Sequence, residues 1–320
     1  MRLSRRSILK GAVVGSAAAA ATAVAGKAEA REPKESSPDS VGMLYDSTLC
    51  IGCRACVTKC KEANGLPYSR SADGVFDVPG DLDSQTKNII KVLATDKRSQ
   101  GYTFMKQQCM HCVDPSCVSA CMMGALHKEG EGTRHHEGEK PGTGIVLYDK
   151  NTCVGCRYCQ IACPYNVPKF EWVKAFPLIV KCELCRHRGD EKKGGARALA
   201  DPACCEVCPR EAVVYGKRTE LLELARARMA RDPKRYEPKI YGEKDGGGTQ
   251  VLYLTPAGVS FQELGLPELG EESPAHFSEK VSHAPYVYGI TPVALYAAAA
   301  FVIRRNKKKE EEAAGQGEGH

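Results

Sequence analysis

Asn151 to Pro168 reads N-T-C-V-G-C-R-Y-C-Q-I-A-C-P-Y-N-V-P, and the fold turns on how this stretch is read. Cys153, Cys156, Cys159 and Cys163 fall in the run C-x2-C-x2-C-x3-C, with Pro164 directly behind the last. That spacing holds a cubane [4Fe–4S] cluster. Three cysteines two residues apart let a short loop curl around one cluster and offer it three thiolates. The fourth lies most of a helical turn further on, points away and serves a neighbouring cluster. Pro164 has no N–H and disfavours helix at the residue before it, so the turn ends there.

Outward from this stretch the pattern recurs. Cys50, Cys53, Cys56 and Cys60 repeat it within L-Y-D-S-T-L-C-I-G-C, to be set beside L-Y-D-K-N-T-C-V-G-C at Leu147 to Cys156. An internal repeat implies two related halves, and in each copy an apolar pair and an Asp form a short strand feeding the loop. Another group, Cys109, Cys112, Cys117 and Cys121, has a widened gap turned by Asp114 and Pro115. The last is Cys182, Cys185, Cys204 and Cys208. Pro202-Ala203-Cys204 and Cys208-Pro209 mirror Pro115-Ser116-Cys117 and Cys121, which makes Cys204 the ligand. Cys205 then packs as a small hydrophobe. His111, inside a loop, reads as an exposed side chain, with hydrogen bonding to sulfur as its other role. His135 and His136 fall in a solvated Gly/Glu/His-rich insert, Glu129 to Gly144.

Between the groups, residues 61–108 read as a polar connection with local helix around Asn88 to Leu93. Strands are expected at Met123 to Lys128, Ile145 to Tyr148 and Ala212 to Tyr215, the first two pairing as a hairpin. A helix is expected from Thr219 to Arg231. Arg186 to Ala200 is a basic, glycine-rich loop. Tyr241 to Thr255 is a glycine turn leading into a strand, and residues 256–284 are a Pro/Glu/Ser-rich linker.

Seventeen cysteines are many for 320 residues, and seven Phe with one Trp are few for a core of this length. An odd count in four tight groups does not suit a disulfide framework. Structural zinc pairs two C-x2-C dyads and has no use for a third cysteine two residues on. The formal charge of +6 is concentrated at the N-terminus: without residues 1–30 there remain 40 basic and 38 acidic residues. Four oxidised clusters with their thiolates remove roughly eight further charges. The balance argues against a nucleic-acid partner.

The two ends carry addresses. Ser4-Arg5-Arg6-Ser7-Ile8-Leu9-Lys10, an Ala-rich run and Ala28-Glu29-Ala30 make residues 1–30 a twin-arginine export signal with a cleavage site. That route carries folded proteins, which suits clusters inserted before export. Tyr286 to Ile303 is apolar and uncharged, roughly 27 Å long as a helix and just enough to cross a bilayer core. Tyr286 and Tyr288 suit an interface, and Arg304, Arg305 and Lys307 to Lys309 keep the C-terminus cytoplasmic. The cysteine-bearing part would then face the periplasm from the inner membrane.

No nucleophile elbow, dinucleotide fingerprint or phosphate loop accompanies the cysteines. With four thiolates for every cluster no iron is left open to substrate, so the chain reads as an electron relay without catalysis of its own. Gly42 to Cys50, Cys109 to Pro115, Cys163 to Pro168, and Tyr241 to Lys244 with Gly246 to Val251 resemble the HybA-type subunits of membrane-bound [NiFe] hydrogenase-2. The likeness covers nearly the whole chain. The cysteine framework alone is shared with iron–sulfur subunits of respiratory formate dehydrogenases and other molybdoenzymes.

The resemblance implies an α+β fold of two ferredoxin-like domains related by a pseudo-twofold, with one C-terminal transmembrane helix. Domain A would comprise residues 31–108 and 164–240, domain B residues 109–163. A strand and linker region would follow at 241–284, the helix at 285–303 and a disordered tail at 304–320. It further implies four [4Fe–4S] clusters. Cys50, Cys53 and Cys56 would be completed by Cys208, and Cys60 would join Cys182, Cys185 and Cys204. Cys109, Cys112 and Cys117 would be completed by Cys163, and Cys121 would join Cys153, Cys156 and Cys159. Implied partners are the small and large subunits of a [NiFe] hydrogenase, a quinone-reactive integral membrane subunit and the lipid bilayer. Met122 departs from the proline that often follows the fourth cysteine, which bears on the shape of that turn. A formate dehydrogenase beta subunit is the alternative; such subunits usually ride out of the cytoplasm with their catalytic partner and need no signal of their own, so residues 1–30 favour the hydrogenase.

Overall fold

Successive side chains of a strand face opposite ways, and in Val41–Asp46 (β1) both faces are covered. Val41, Met43 and Tyr45 enter one apolar cluster, while Leu44 enters another. The computed structural model describes residues 34–67, 81–130, 142–172, 174, 177–188, 201–278, 296 and 298–306. The elements after β1 are α1 (Ala55–Ala63), β2 (Ile89–Ala94), β3 (Tyr102–Gln107), α2 (Ser116–Ser119), β4 (Leu126–Lys128) and β5 (Val146–Tyr148). They continue with α3 (Tyr158–Ala162), β6 (Lys169–Phe170), β7 (Ile179–Val180), α4 (Ala203–Glu206), β8 (Val213–Lys217), α5 (Arg218–Arg231) and β9 (Val251–Leu254).

β1 is the middle of a three-stranded sheet, antiparallel to β8 and parallel to β9. On the Leu44 side, Leu252 and Leu254 meet Leu221, Leu222 and Ala225 of α5. Each large apolar side chain buried this way contributes about 1.5–3 kcal/mol. On the other side, Val251 and Tyr253 join Val41, Met43 and Tyr45 against the β2–β3 hairpin and the cysteine loops. The hairpin is pinned by side chains of the sheet: Tyr45 and Ser47 donate to the Phe104 carbonyl at 3.0 and 2.9 Å, and Tyr253 to that of Lys106 at 2.6 Å. The sheet thus separates a plain helix-packed layer from the layer that holds the cysteines.

One supersecondary unit occurs twice. β1 leads into the Cys50 loop and α1, and pairs antiparallel with β8, which follows the Cys204–Cys208 turn. β5 leads into the Cys153 loop and α3, and pairs antiparallel with β4, which follows the Cys117–Cys121 turn. Helix α1 packs on α4, and α2 on α3. Asp46 N–H donates to the Ala212 carbonyl and Asp149 N–H to that of Ala125, both at 2.8 Å. Pro33–Ala275 form one compact unit.

The hairpin of β4 and β5, β8 and α5 stand where the sequence places them, within a few residues. Two readings are corrected. Asn88 to Leu93, read as local helix, lies mostly in strand β2, because Ile89, Ile90 and Val92 are β-branched and β3 is at hand to pair with it. Residues 256–275, read as linker, put Val259, Phe261, Leu264, Leu266 and Ala275 into the interior; their Pro and Glu content masked widely spaced apolar anchors. Among the described residues no helix is long and apolar enough to cross a membrane. The span expected at 285–303 falls largely outside them, as do the signal at 1–30, His135, His136, most of the basic loop to Ala200 and residues 307–320. Residues 298–306 are helical, with Phe301, Val302 and Ile303 exposed.

Candidate metal centres

Each of the two long cysteine loops is launched by an Asp. Asp46 accepts the N–H of Thr48 at 2.9 Å and its hydroxyl at 2.6 Å. Asp149 accepts the N–H of Asn151 at 2.9 Å and the Thr152 hydroxyl at 2.6 Å. These are Asx turns. Past them the backbone turns left-handed twice, at Gly52 and Arg54 in one loop and at Gly155 and Arg157 in the other. In the two remaining groups His111 and Leu184 take the left-handed conformation at the position matching the glycine. The geometry turns N–H groups toward sulfur: Gly155 N–H lies 3.4 Å from Cys153 Sγ and Leu184 N–H 3.4 Å from Cys182 Sγ.

The turn after the fourth cysteine is also shared. Glu211 N–H donates to the Cys208 carbonyl, Asn166 to Cys163 and Gly124 to Cys121, each donor at positive φ. Met122 therefore keeps the turn that Pro164 and Pro209 make, with Gly124 supplying the left-handed residue.

Two cavities are lined by four cysteines each. Cys50, Cys53, Cys56 and Cys208 line one, together with Tyr45, Arg54 and Ile90. Cys121, Cys153, Cys156 and Cys159 line the other, with Met123, Arg157 and Ile179. The other eight are neighbours of one another. Cys60 feels the charge of Cys204 and Cys185, and Cys182 that of Cys60 and Cys204. Cys112 feels Cys163, Cys117 and Cys109. Links between quartets run from Cys56 to Cys204, from Cys182 to Cys109 and from Cys117 to Cys159. Cys53 and Cys156 are exposed, and they belong to the first and last quartets of that series.

Burial pushes the Cys56 and Cys159 thiols up to about 12 and those of Cys60 and Cys163 to about 11, with neighbouring sulfurs adding to it. Protons hold such thiols neutral until a cation replaces them, because a coordinating thiol is deprotonated outright. Cys204 departs in the other direction: the Cys205 thiol donates to it, and that outweighs burial. Cys205 stays beside Cys204, with Asp201 and Tyr215 also near it. The Cys204 sulfur neighbours those of Cys60, Cys182 and Cys185.

Among the described residues no trio of His, Cys, Asp or Glu is gathered about a single-ion position; the quartets enclose spaces. An anionic cluster fits the surroundings. Lys61, Lys106, Lys128 and Lys181 are all buried, and Lys106 and Lys181 act on cysteines of three of the quartets. His111 is fully buried, not exposed as expected, and its Nδ1 accepts the Val146 N–H at 3.0 Å. The proton then sits on Nε2, which has no partner among the described residues; a cluster sulfur would supply one. Burial first, then Lys181 and Lys128, hold this imidazole neutral.

The buried lysines were not singled out from the sequence, although a Lys flanked by apolar residues, as in F-M-K-Q-Q-C and I-V-K-C, was the visible signal. Tyr45 and Tyr148 were also passed over. Each stands five residues before the first cysteine of its loop, close enough to that sulfur for the two to affect each other's charge.

The 4Fe-4S dicluster domain family matches residues 100–218. The chain is 41% identical over 324 residues to "Hydrogenase-2 operon protein HybA" of Escherichia coli O157:H7, covering 92% of this chain and 93% of the relative. It is 33% identical over 219 residues to the nitrate-inducible formate dehydrogenase iron-sulfur subunit of Escherichia coli, 67% of each chain. The formate dehydrogenase-O iron-sulfur subunit of the same organism is 31% identical over 241 residues, 73% of each.

Proposed function

The chain belongs to the HybA family of hydrogenase-2 operon proteins, and from that premise we propose that it is a membrane-anchored relay of four [4Fe–4S] clusters. Its ligand sets are Cys50, Cys53, Cys56 and Cys208; Cys60, Cys182, Cys185 and Cys204; Cys109, Cys112, Cys117 and Cys163; and Cys121, Cys153, Cys156 and Cys159. When bound, each cluster takes up and returns one electron at a potential set by burial and by hydrogen bonds to sulfur. The observation that carries this reading is the pair of matching four-cysteine cavities, one in each copy of the repeated unit.

The residues divide the work. The cysteines form a series of four quartets joined by the neighbour relations of Cys56 with Cys204, Cys182 with Cys109 and Cys117 with Cys159. The exposed sulfurs of Cys53 and Cys156 mark the two ends as the points where electrons enter and leave. Partners at those ends are a [NiFe] hydrogenase and a quinone-reactive integral membrane subunit. The chain leaves the cytoplasm by its twin-arginine signal, faces the periplasm and is held by a helix at 285–303. The exposed Phe301, Val302 and Ile303 of the described part of that segment support this.

The 33% identity to a formate dehydrogenase iron-sulfur subunit favours a second reading, a formate-oxidising complex. Detergent extraction of the tagged full chain, identification of its partners and assay of hydrogen-dependent quinone reduction decide between the two. Co-purification with a nickel enzyme supports the hydrogenase; a molybdenum or tungsten formate oxidase in its place overturns it. Iron and acid-labile sulfide analysis, with EPR of the reduced protein, tests the clusters themselves. A colourless zinc protein would end the relay reading.

A further inference from the structure

Lys106 has no exposed surface and sits on the strand that packs against the central sheet. Its ammonium donates to Gln108 Oε1, and Gln108 in turn donates to Met43 Sδ at 3.0 Å. The Tyr253 hydroxyl holds the Lys106 carbonyl at 2.6 Å. The cation is therefore fixed from both ends. Among the described residues it has no carboxylate partner; the groups that face it are Cys204, Cys56, Cys182 and Tyr253. Cys60 also feels its charge. Cys56 belongs to one ligand set, and Cys60, Cys182 and Cys204 to the next. Lys128 and Lys181 act elsewhere, on Cys112 and Cys117.

We propose that Lys106 is a permanent positive charge shared by two adjacent cluster sites, the Cys50/Cys53/Cys56/Cys208 site and the Cys60/Cys182/Cys185/Cys204 site, and that it raises the reduction potential of both. This rests on the four-cluster reading above. Burying an ammonium with no anion beside it is strongly unfavourable, so its position calls for negative charge close by. Reduction adds one electron to a site that is already anionic, and a fixed cation stabilises the reduced form more than the oxidised one. Away from water and salt this effect is weakly screened. Placed between two sites, the charge moves both potentials together and keeps the step between them small.

The test is a redox titration of the anaerobically purified full chain, followed by EPR, on wild type, Lys106→Gln and Lys106→Arg. Two of the four midpoint potentials should fall in Lys106→Gln and stay near wild type in Lys106→Arg. Four unchanged potentials in Lys106→Gln, or equal shifts in both variants, would overturn the proposal. Iron and sulfide counts on the wild type test the four-cluster reading separately. Should Lys106→Gln fail to assemble, Gln108→Glu cancels the charge in place. The same two potentials should then fall, and their constancy overturns the idea.

Discussion

The backbone N–H of Gly155 is aimed at the sulfur of Cys153, 3.4 Å away, and Gly52 holds the matching position after Cys50. Both glycines are left-handed, with φ of 72° and 69°, yet they do not tolerate change alike. A methyl on Gly155 would meet the Phe170 ring and the Pro177 carbonyl at 3.4–3.6 Å, ordinary contact. A methyl on Gly52 would lie 2.2 Å from the Phe104 ring. Gly155→Ala should cost about 1–2 kcal/mol of backbone strain and keep its iron. Gly52→Ala should displace Phe104 and lose iron from the Cys50 site. Iron per chain and thermal loss of visible absorbance would show the difference.

The two launching aspartates predict a second asymmetry. Asp46 is fully buried and also accepts from Arg228 at 3.1 Å and from Tyr236 at 3.0 Å. Removing it takes the carboxylate from the Arg228 guanidinium, which among the described residues keeps only the Glu211 carbonyl at 3.4 Å, and leaves the Thr48 N–H unpaired. Asp46→Ala should lose about 3 kcal/mol or more, read by chemical denaturation. Among the described residues the Asp149 carboxylate is bonded only within its own loop, and the residue is half-buried. Asp149→Ala should loosen its own loop with a far smaller loss of stability. Equal effects would mean that Asp46 acts only as a turn residue.

Sequence spacing made the cysteine groups, the repeat and the Asp-led loops legible because each depends on contacts within about ten residues. Lys106 and His111 were not legible in the same way. Their burial comes from Tyr253, Met43 and Val146, which lie 35 or more residues from the group each one contacts. Residues 256–275 were misread for a related reason. Val259, Phe261, Leu264 and Leu266 have no helical or strand period of their own and are ordered by the core they enter. Met122 shows the reverse: the missing proline looked consequential, but the turn is set two residues on, at Gly124.

Cys204 and Cys205 are adjacent but separable. Cys204→Ser should remove or alter one cluster, lowering iron by up to a quarter and changing one EPR signal. Cys205→Ser should retain all four clusters, since the match of Pro202-Ala203-Cys204 to Pro115-Ser116-Cys117 assigns the ligand to Cys204. If Cys205→Ser loses iron and Cys204→Ser does not, the ligand register of the last group is shifted by one.

Asp81 joins Lys169 at 2.6 Å, Lys91 at 3.9 Å and the amide of Asn166 at 3.1 Å, tying β2 to β6 and the turn after Cys163. Burial raises its carboxyl, but the Lys169 hydrogen bond, the Leu82 N–H and the two lysine charges outweigh it and hold it below the usual range. A depressed carboxyl stabilises the fold above the ordinary value of about 4 and loses that contribution as pH falls through its own lower value. Asp81→Asn should therefore shed its clusters faster than wild type at neutral pH. The gap should close as the medium is acidified, followed by absorbance decay at a series of pH values. A gap that is constant with pH would assign Asp81 a packing role only.

Trp172, the single tryptophan of the chain, reports on the last quartet. Arg157 follows Cys156 directly and lines the cavity of Cys121, Cys153, Cys156 and Cys159. Its guanidinium stacks 4.6 Å from the Trp172 ring centre and 5.1 Å from that of Phe170. The indole is exposed, so this stacking is worth only about 0.5–1 kcal/mol, and Trp172→Ala should leave stability and iron content nearly unchanged. Proximity makes the indole a probe. A bound cluster absorbs broadly across the near ultraviolet and visible, and should quench Trp172 emission by energy transfer. Removing iron with a chelator under anaerobic conditions should raise that emission several-fold, in step with loss of iron from this site. Cys156→Ser should start bright, whereas Cys53→Ser, altered at the opposite end of the series, should start as dark as wild type. Equal brightness in the two variants would show that the quartet beside Trp172 does not hold the cluster assigned to it.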